Sequence, residues 1–251
     1  MWKAILSPDF FSTILRSATP ILFATLASAI AAKSGICNMA LEGIMLFSAL
    51  FGVIFSSLTN SAWLGLLITM VIGGLIGMIL AFFILNLKTD EILAAIAINL
   101  TATGGTVLIM VAFSGDRGVS SSIRSVSAPT VTLPLIEKIP FIGSVLSGQN
   151  ILTWLAILAV ILLHLFLYKT PLGLAIRAVG ENKNAAESVG ISSRKIKYIA
   201  LIISGVLASM GGFYLSGGYM NMFTKDMSGG RGFIALAASS MGGDTPVGGF
   251  L

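Results

Sequence analysis

Residues 63–85 read WLGLLITMVIGGLIGMILAFFIL, an apolar run in which Thr69 carries the only hydroxyl group. About 20 consecutive apolar residues are enough for a helix to cross the hydrocarbon core of a bilayer. Backbone groups find no water there, so only helices and closed barrels can span it. Barrel strands alternate polar and apolar side chains, and this run does not alternate. It therefore predicts a membrane-spanning helix.

The rest of the chain repeats this pattern. Hydrophobic residues make up 56% of the 251 residues and charged residues only 10%, with a mean hydropathy of +0.98, whereas soluble domains carry about 25% charged residues. The sequence predicts an all-α polytopic membrane protein whose single transmembrane domain, residues 1–251, has about seven membrane segments. The predicted segments are 11–32, 36–57, 62–87, 92–113, 151–168, 198–217 and a last apolar stretch from 232 to the end.

The basic residues are concentrated in one loop. Six of the 15 lie in residues 169–197, which hold only two acidic residues and so carry a charge of +4. Basic loops beside apolar spans mark the cytoplasmic side, which argues against nucleic-acid binding. Counting spans from this loop places the N-terminus outside and makes residues 114–150 an external loop. That loop is either a lid with an interfacial helix or a plain connector.

The chemistry available to the chain is narrow. Cys37 is the only cysteine and His164 the only histidine, so no disulfide can form within the chain, and no metal site is expected. The predicted spans contain no paired carboxylates, HExxH motif or Ser/His set. The sequence therefore predicts no catalytic residues, and the protein is expected not to be an enzyme.

Residues 177–191, RAVGENKNAAESVGI, break the apolar pattern inside the basic loop. A polar break is followed by a short alanine-containing helical stretch and a glycine stop, which predicts a short helix lying parallel to the membrane. Such a helix can dock into a groove of a cytoplasmic partner, although an ordinary basic loop is the simpler alternative. The residues expected to mediate docking are Arg177, Gly180, Glu181, Ala185, Ala186 and Gly190.

The same stretch resembles the coupling-loop signature of the permease family shared by ribose-type sugar, nucleoside and branched-chain amino-acid ABC importers. Three further stretches resemble that family in the same order: SGICNMALEGIML at 34–46, SGVLASMGGFYLS at 204–216 and GGRGFIALAASSMGG at 229–243. The first of these, with residues 133–156, is most similar to the nucleoside branch. The family continues through about two more spans, so the chain is expected to be truncated relative to it.

The resemblance implies a type II-like permease in the bacterial inner membrane, working with three partners. These are a second related permease subunit, a cytoplasmic ABC ATPase, and an extracellular or periplasmic substrate-binding protein. The chain lacks a GxxxxGK[ST] phosphate loop, so ATP and Mg²⁺ are expected to be used by the ATPase and no cofactor by this chain. The expected cargo is a nucleoside, or alternatively a simple sugar such as ribose or galactose. An ion-coupled secondary transporter is disfavoured, because no repeat relates the two halves.

Several polar residues within or beside the spans are candidates for the substrate path. Ionisable groups at membrane depth are functional candidates by default, and Glu42 is one, although it could instead tie down a helix break with Asn38. The amide of Asn99, near Thr103, could bind a ribose hydroxyl, a base edge or a neighbouring helix.

Three residues of the loop before the last stretch are candidates for contact with the binding protein. Phe223, Asp226 and Arg231 should lie outside by span parity, where a solvated turn is the alternative. Small residues spaced by four, such as Gly73 with Gly77 and Gly205 with Ser209, predict faces where helices pack closely.

Overall fold

The computed structural model describes residues 8–116, 118–123, 125–131 and 147–251. Residues 117, 124 and 132–146 of the predicted external loop lie outside this description, as do residues 1–7. The helices are α1 (Pro8–Lys33), α2 (Leu41–Thr59), α3 (Ala62–Leu85), α4 (Glu91–Ser114), α5 (Ile151–Lys169), α6 (Pro171–Glu181), α7 (Lys183–Ser188), α8 (Ser193–Phe213) and α9 (Arg231–Met241). A π-helical turn, Tyr214–Tyr219, extends α8, and β1 (Thr130–Val131) pairs antiparallel with β2 (Gln149–Asn150).

Six helices of the described chain, α1 to α5 and α8, are long and apolar enough to cross a membrane. Polar side chains cap several of these spans. The Asp90 carboxylate accepts hydrogen bonds from the first amides of α4 at 2.9 and 3.1 Å, and Asn150 caps α5 in the same way. Such caps satisfy amides that have no partner within the helix. The protein is therefore a multi-pass membrane protein, as predicted.

The seventh predicted segment does not form a full span in the described residues. It begins with α9, which has 11 residues and so rises about 16 Å, roughly half the hydrocarbon thickness. Gly242 and Gly243 end the helix, and the chain then turns, with Gly243 in the left-handed region at φ +65°. The apolar composition of residues 232–251 predicted a longer helix than this turn allows.

Helix α8 lies at the centre of the bundle, packed against α1, α2 and α3. Its approach to α3 is close because both helices present glycines. A Cβ atom on Gly73 would lie 2.4 Å from the carbonyl oxygen of Gly205, and one on Gly205 would lie 2.1 Å from that of Gly73. The prediction that these small residues form a packing face is confirmed.

Contacts between loops define two ends of the bundle. At one end, here the basic end, lie the turn at 33–35 and residues 86–90 and 169–197, where the Tyr198 hydroxyl donates to Asn86 Oδ1 at 2.9 Å. At the opposite end, the Ser120 amide donates to the Phe223 carbonyl at 2.8 Å. The described part of the predicted external loop thus packs onto the connection before α9.

Candidate functional site

The segment between α1 and α2, residues 34–40, folds back into the bundle without helical structure. Asn38 lies there, buried. Its Nδ2 donates to Ser204 Oγ of α8 at 2.8 Å, and Ser204 in turn donates to the carbonyl oxygen of Ala27 at 2.6 Å. Ala27 lies six residues before the end of α1, so these bonds tie the break to the interior of α1 and not to its end.

Asn99 of α4 holds the other side of the same break. Its Nδ2 donates to the Met39 carbonyl at 3.0 Å, and its Oδ1 accepts from the Gly43 amide at 2.8 Å. These bonds supply partners to backbone groups that lack them where a helix is interrupted. The Thr103 hydroxyl donates to the carbonyl oxygen of Asn99, and the Thr103 side chain is exposed. Asn38 and Asn99 are thus engaged with the chain itself, whereas Thr103 faces outward.

Glu42, in the first turn of α2, binds the start of the half-length helix α9. Its two carboxylate oxygens accept hydrogen bonds from the amides of Gly230 at 2.8 Å and Gly232 at 2.7 Å. A helix N-terminus carries partial positive charge and unpaired amides, so a carboxylate is a fitting partner. A Cβ atom on Gly232 would lie 2.5 Å from the Glu42 nitrogen, and only glycine allows this approach.

The short helix predicted in the basic loop is present as α7, and the residues in and around it differ sharply in exposure. Ala186 is buried at 4% exposure and belongs to an apolar cluster that also contains residues of α1, α5, α6 and α8. Glu181 and Ala185 are exposed, and so is Val189, at 75%. Glu181 is the last residue of α6, Ala185 lies in α7 and Val189 directly follows α7. These three exposed residues around buried Ala186 are here called the α7 face. Gly190, at φ +85°, ends the helix.

Arg177 and Gly180, two further docking candidates, face the bundle. The Arg177 guanidinium lies 4.5 Å from the centre of the Tyr168 ring, and its Nε donates to the Leu167 carbonyl at 3.1 Å. A Cβ atom on Gly180 would lie 2.2 Å from the carbonyl oxygen of Lys33. These two residues attach the loop to α5 and to the turn after α1.

The three loop candidates before α9 also separate. Phe223 is fully buried in the core, whereas Asp226 is exposed. The Arg231 guanidinium donates to the carbonyl oxygens of Met227 and Ser228, both at 3.1 Å. Of the three, only Asp226 presents its side chain fully to the outside.

Sequence reasoning assigned no role in these sites to four residues, Val189, Lys33, Gly35 and Ser204. Val189 had only its apolar character as a signal, since exposure depends on how α7 is rotated. The backbones of Lys33 and Gly35 pack against Gly180, and nothing in the sequence links positions so far apart. Ser204, the partner of Asn38, was noticed only as part of a similar stretch.

Comparison with known proteins identifies the family. The family model for the permease component of branched-chain amino acid transport systems matches residues 10–251. The chain belongs to this permease family. The permease is also 32% identical to a nucleoside ABC transporter permease protein of Lactococcus lactis, over 96% of this chain and 77% of the relative.

Two other relatives mark the range of named cargoes. A guanosine ABC transporter permease protein of Bacillus subtilis is 33% identical, over 92% of this permease and 74% of the relative. A protein of Haloferax volcanii provisionally named as a glucose ABC transporter permease is 32% identical, over 89% of this permease and 67% of the relative. No solved structure matches the permease significantly. As a family member, this permease is a transport subunit.

Proposed function

We propose that this chain is a membrane-spanning subunit of an ATP-driven importer of nucleosides in the bacterial inner membrane. A second related permease would complete the pathway, a cytoplasmic ATPase would use ATP and Mg²⁺, and a substrate-binding protein would deliver the cargo outside. The basic end would face the cytoplasm, since cytoplasmic loops carry the excess of Lys and Arg. The N-terminus would then lie outside.

The α7 face is the observation that carries this proposal. Glu181, Ala185 and Val189 are exposed in and beside a short helix whose Ala186 is buried against the bundle. An outward apolar residue as exposed as Val189 gains from contact with a partner surface, because burial removes its apolar area from water. The position of this face among the basic residues of the same loop favours a cytoplasmic partner.

The cargo assignment rests on the relatives, two of which are named for nucleosides or guanosine. Among the candidates for the substrate path, Thr103 is the one whose side chain is exposed on a span, and we retain it as a contact for the cargo. Asn38, Glu42 and Asn99 would shape the path by holding its backbone. Asp226 is the candidate of the outer loop for contact with the binding protein.

Uptake by the complete transporter tests the proposal. Proteoliposomes containing the full-length permease, its permease partner and the ATPase would be supplied with binding protein and labelled uridine. ATP-dependent uptake that excess adenosine suppresses and ribose leaves unchanged is the expected result. Competition by ribose without competition by adenosine would reject the nucleoside cargo. ATP-independent uptake driven by an ion gradient would reject the transporter class.

A sugar is the second candidate cargo, because of the Haloferax relative named for glucose. The same proteoliposomes separate the two cargoes when labelled ribose, galactose or glucose replaces uridine. Transport of a sugar with uridine excluded would establish the alternative and leave the assignment as an ATP-driven permease intact.

A further inference from the structure

The half-length helix α9 is tied at both ends to residues that flank the break between α1 and α2. At its start, Gly230 and Gly232 donate to the Glu42 carboxylate. At its end, Lys33 Nζ donates to the Gly243 carbonyl at 3.2 Å. Helix α9 packs on α1 and α2, so the connection at residues 33–42 and the helices on either side of it carry α9.

Glycines border α9 on both sides. Gly229 and Gly230 precede it at φ +54° and +80°, and Gly243 follows it at φ +65°. Glycine adopts these left-handed conformations without the steric cost that other residues incur. Few loop residues are needed to absorb the backbone rotation when a rigid element moves. The helix is thus a short rigid body between two permissive joints.

The same connection touches the docking loop, backbone against backbone. Gly180, at the end of α6, lies so close to the turn that an added Cβ would reach the Lys33 carbonyl at 2.2 Å and the Gly35 nitrogen at 3.1 Å. Gly35 in turn would place a Cβ 3.3 Å from Gly180 Cα. No side chain separates the two backbones, so a displacement of α6 must displace the turn.

We propose that residues 33–42 are the transmission element of this permease and that Glu42 and Gly180 are its positioning residues. Movement of the docking loop, which rests on the ATPase docking proposed above, passes through Gly180 to the turn at 33–35. From there it reaches the Glu42 carboxylate, and Glu42 carries it to the N-terminus of α9. Helix α9 then moves in response to nucleotide.

A spin label on α9 tests this movement in the complete complex. Cys37→Ser removes the only cysteine of the sequence. Ile234 is exposed on α9, and Ile234→Cys provides the site for the nitroxide. A label at Leu158 of α5, also exposed, provides the reference position. Spectra are recorded without nucleotide and with ADP and vanadate, and nucleoside transported per ATP hydrolysed is measured on the same samples.

Trapping with vanadate is expected to change the spectrum at position 234 and to leave position 158 unchanged. Gly180→Ala should reduce the change at 234, and the nucleoside carried per ATP, by about tenfold, within the usual range for coupling between sites. Glu42→Gln, which keeps the side-chain size, should mobilise the label before nucleotide is added and lower the same ratio. A purely structural role would lower the amount of folded complex without changing this ratio.

The matched controls are Gly105→Ala, whose added Cβ meets the Phe47 ring at an ordinary 3.7 Å, and Asp9→Asn, a carboxylate exposed at the start of α1. Both should preserve the response at 234. An unchanged spectrum in the trapped parent complex overturns the proposal, as does a full response and normal coupling in both test variants. If the ATPase fails to associate with the parent permease, the proposed function falls, and this inference with it.

Discussion

The break at residues 34–40 and the docking loop at 169–197 both interrupt the long helices with polar residues, but the polar side chains of the two regions differ in what they contact. In and beside the break, the polar atoms of Asn38, Glu42 and Asn99 form hydrogen bonds with other residues of the chain. In the docking loop, the α7 face leaves its side chains exposed. Polar residues satisfied inside a membrane bundle shape its backbone, whereas residues left exposed at its end are available to a partner.

The adjacent residues Ala185 and Ala186 give the sharpest contrast between buried and exposed positions. Ala186→Glu should place an unpaired charge among apolar side chains and cost about 4 kcal/mol, so little folded protein should survive purification in detergent. Ala185→Glu should fold normally, because its site is exposed, but should lose ATPase binding in a pull-down with the purified ATPase. Equal yields and equal ATPase binding for both variants would contradict the assigned α7 face.

Removing the Glu42 carboxylate should have the next largest effect on stability. Glu42→Ala leaves the amides of Gly230 and Gly232 without their acceptors inside the bundle, at a cost of about 3 kcal/mol for two bonds to a charged group. Thermal unfolding in detergent should show the loss. Glu181→Ala, on the α7 face, is the matched control and should leave the unfolding temperature unchanged. A stable Glu42→Ala protein would mean that the carboxylate is not needed to hold α9.

A smaller loss of stability is expected when the side-chain amide of Asn99, beside the break, is removed. Asn99→Leu keeps the size of the side chain but frees the Met39 carbonyl and the Gly43 amide, and side-chain hydrogen bonds within membranes average about 0.6 kcal/mol. The free energy of unfolding should therefore fall by about 1 kcal/mol. Thr103→Val on the same helix should leave stability unchanged and instead lower nucleoside uptake, which reconstituted transport measures. The reverse outcome would exchange the roles of these two residues.

The smallest expected effect is that of pH on the loop after α4, at the end of the bundle opposite the basic end. The Ser122 amide donates to Asp116 Oδ2 at 2.8 Å, and this bond lowers the pKa of the exposed Asp116 carboxyl below its usual value. The contribution to loop stability is therefore complete above that usual value and is lost as the pH falls through the lowered pKa. The protection of the Ser122 amide against exchange, measured relative to the intrinsic exchange rate at each pH, should therefore fall on acidification. Asp116→Asn should remove this pH dependence, and its persistence there would assign it to another group.

The positions of the spans were available from the sequence because they depend on local properties. Residues 63–85 are apolar over a length that fits the bilayer, and no other arrangement satisfies their backbone. The glycine pairs of α3 and α8 were readable for a similar reason, since only small residues permit helices to approach so closely. The docking loop was also predictable from the sequence, because of its charge and the glycine at position 190 that ends its short helix.

The roles of the polar residues were decided by the tertiary structure, because each depends on partners far away in the chain. Asn38, Glu42 and Asn99 stood out in the sequence, yet only folding brings them to Ser204, to the amides of α9 and to the backbone of residues 39–43. The rotation of α7 buries Ala186 and exposes Ala185, although the two residues are identical and adjacent. The turn after Met241 halves the seventh segment, because the glycines there allow a left-handed backbone that apolar composition does not reveal.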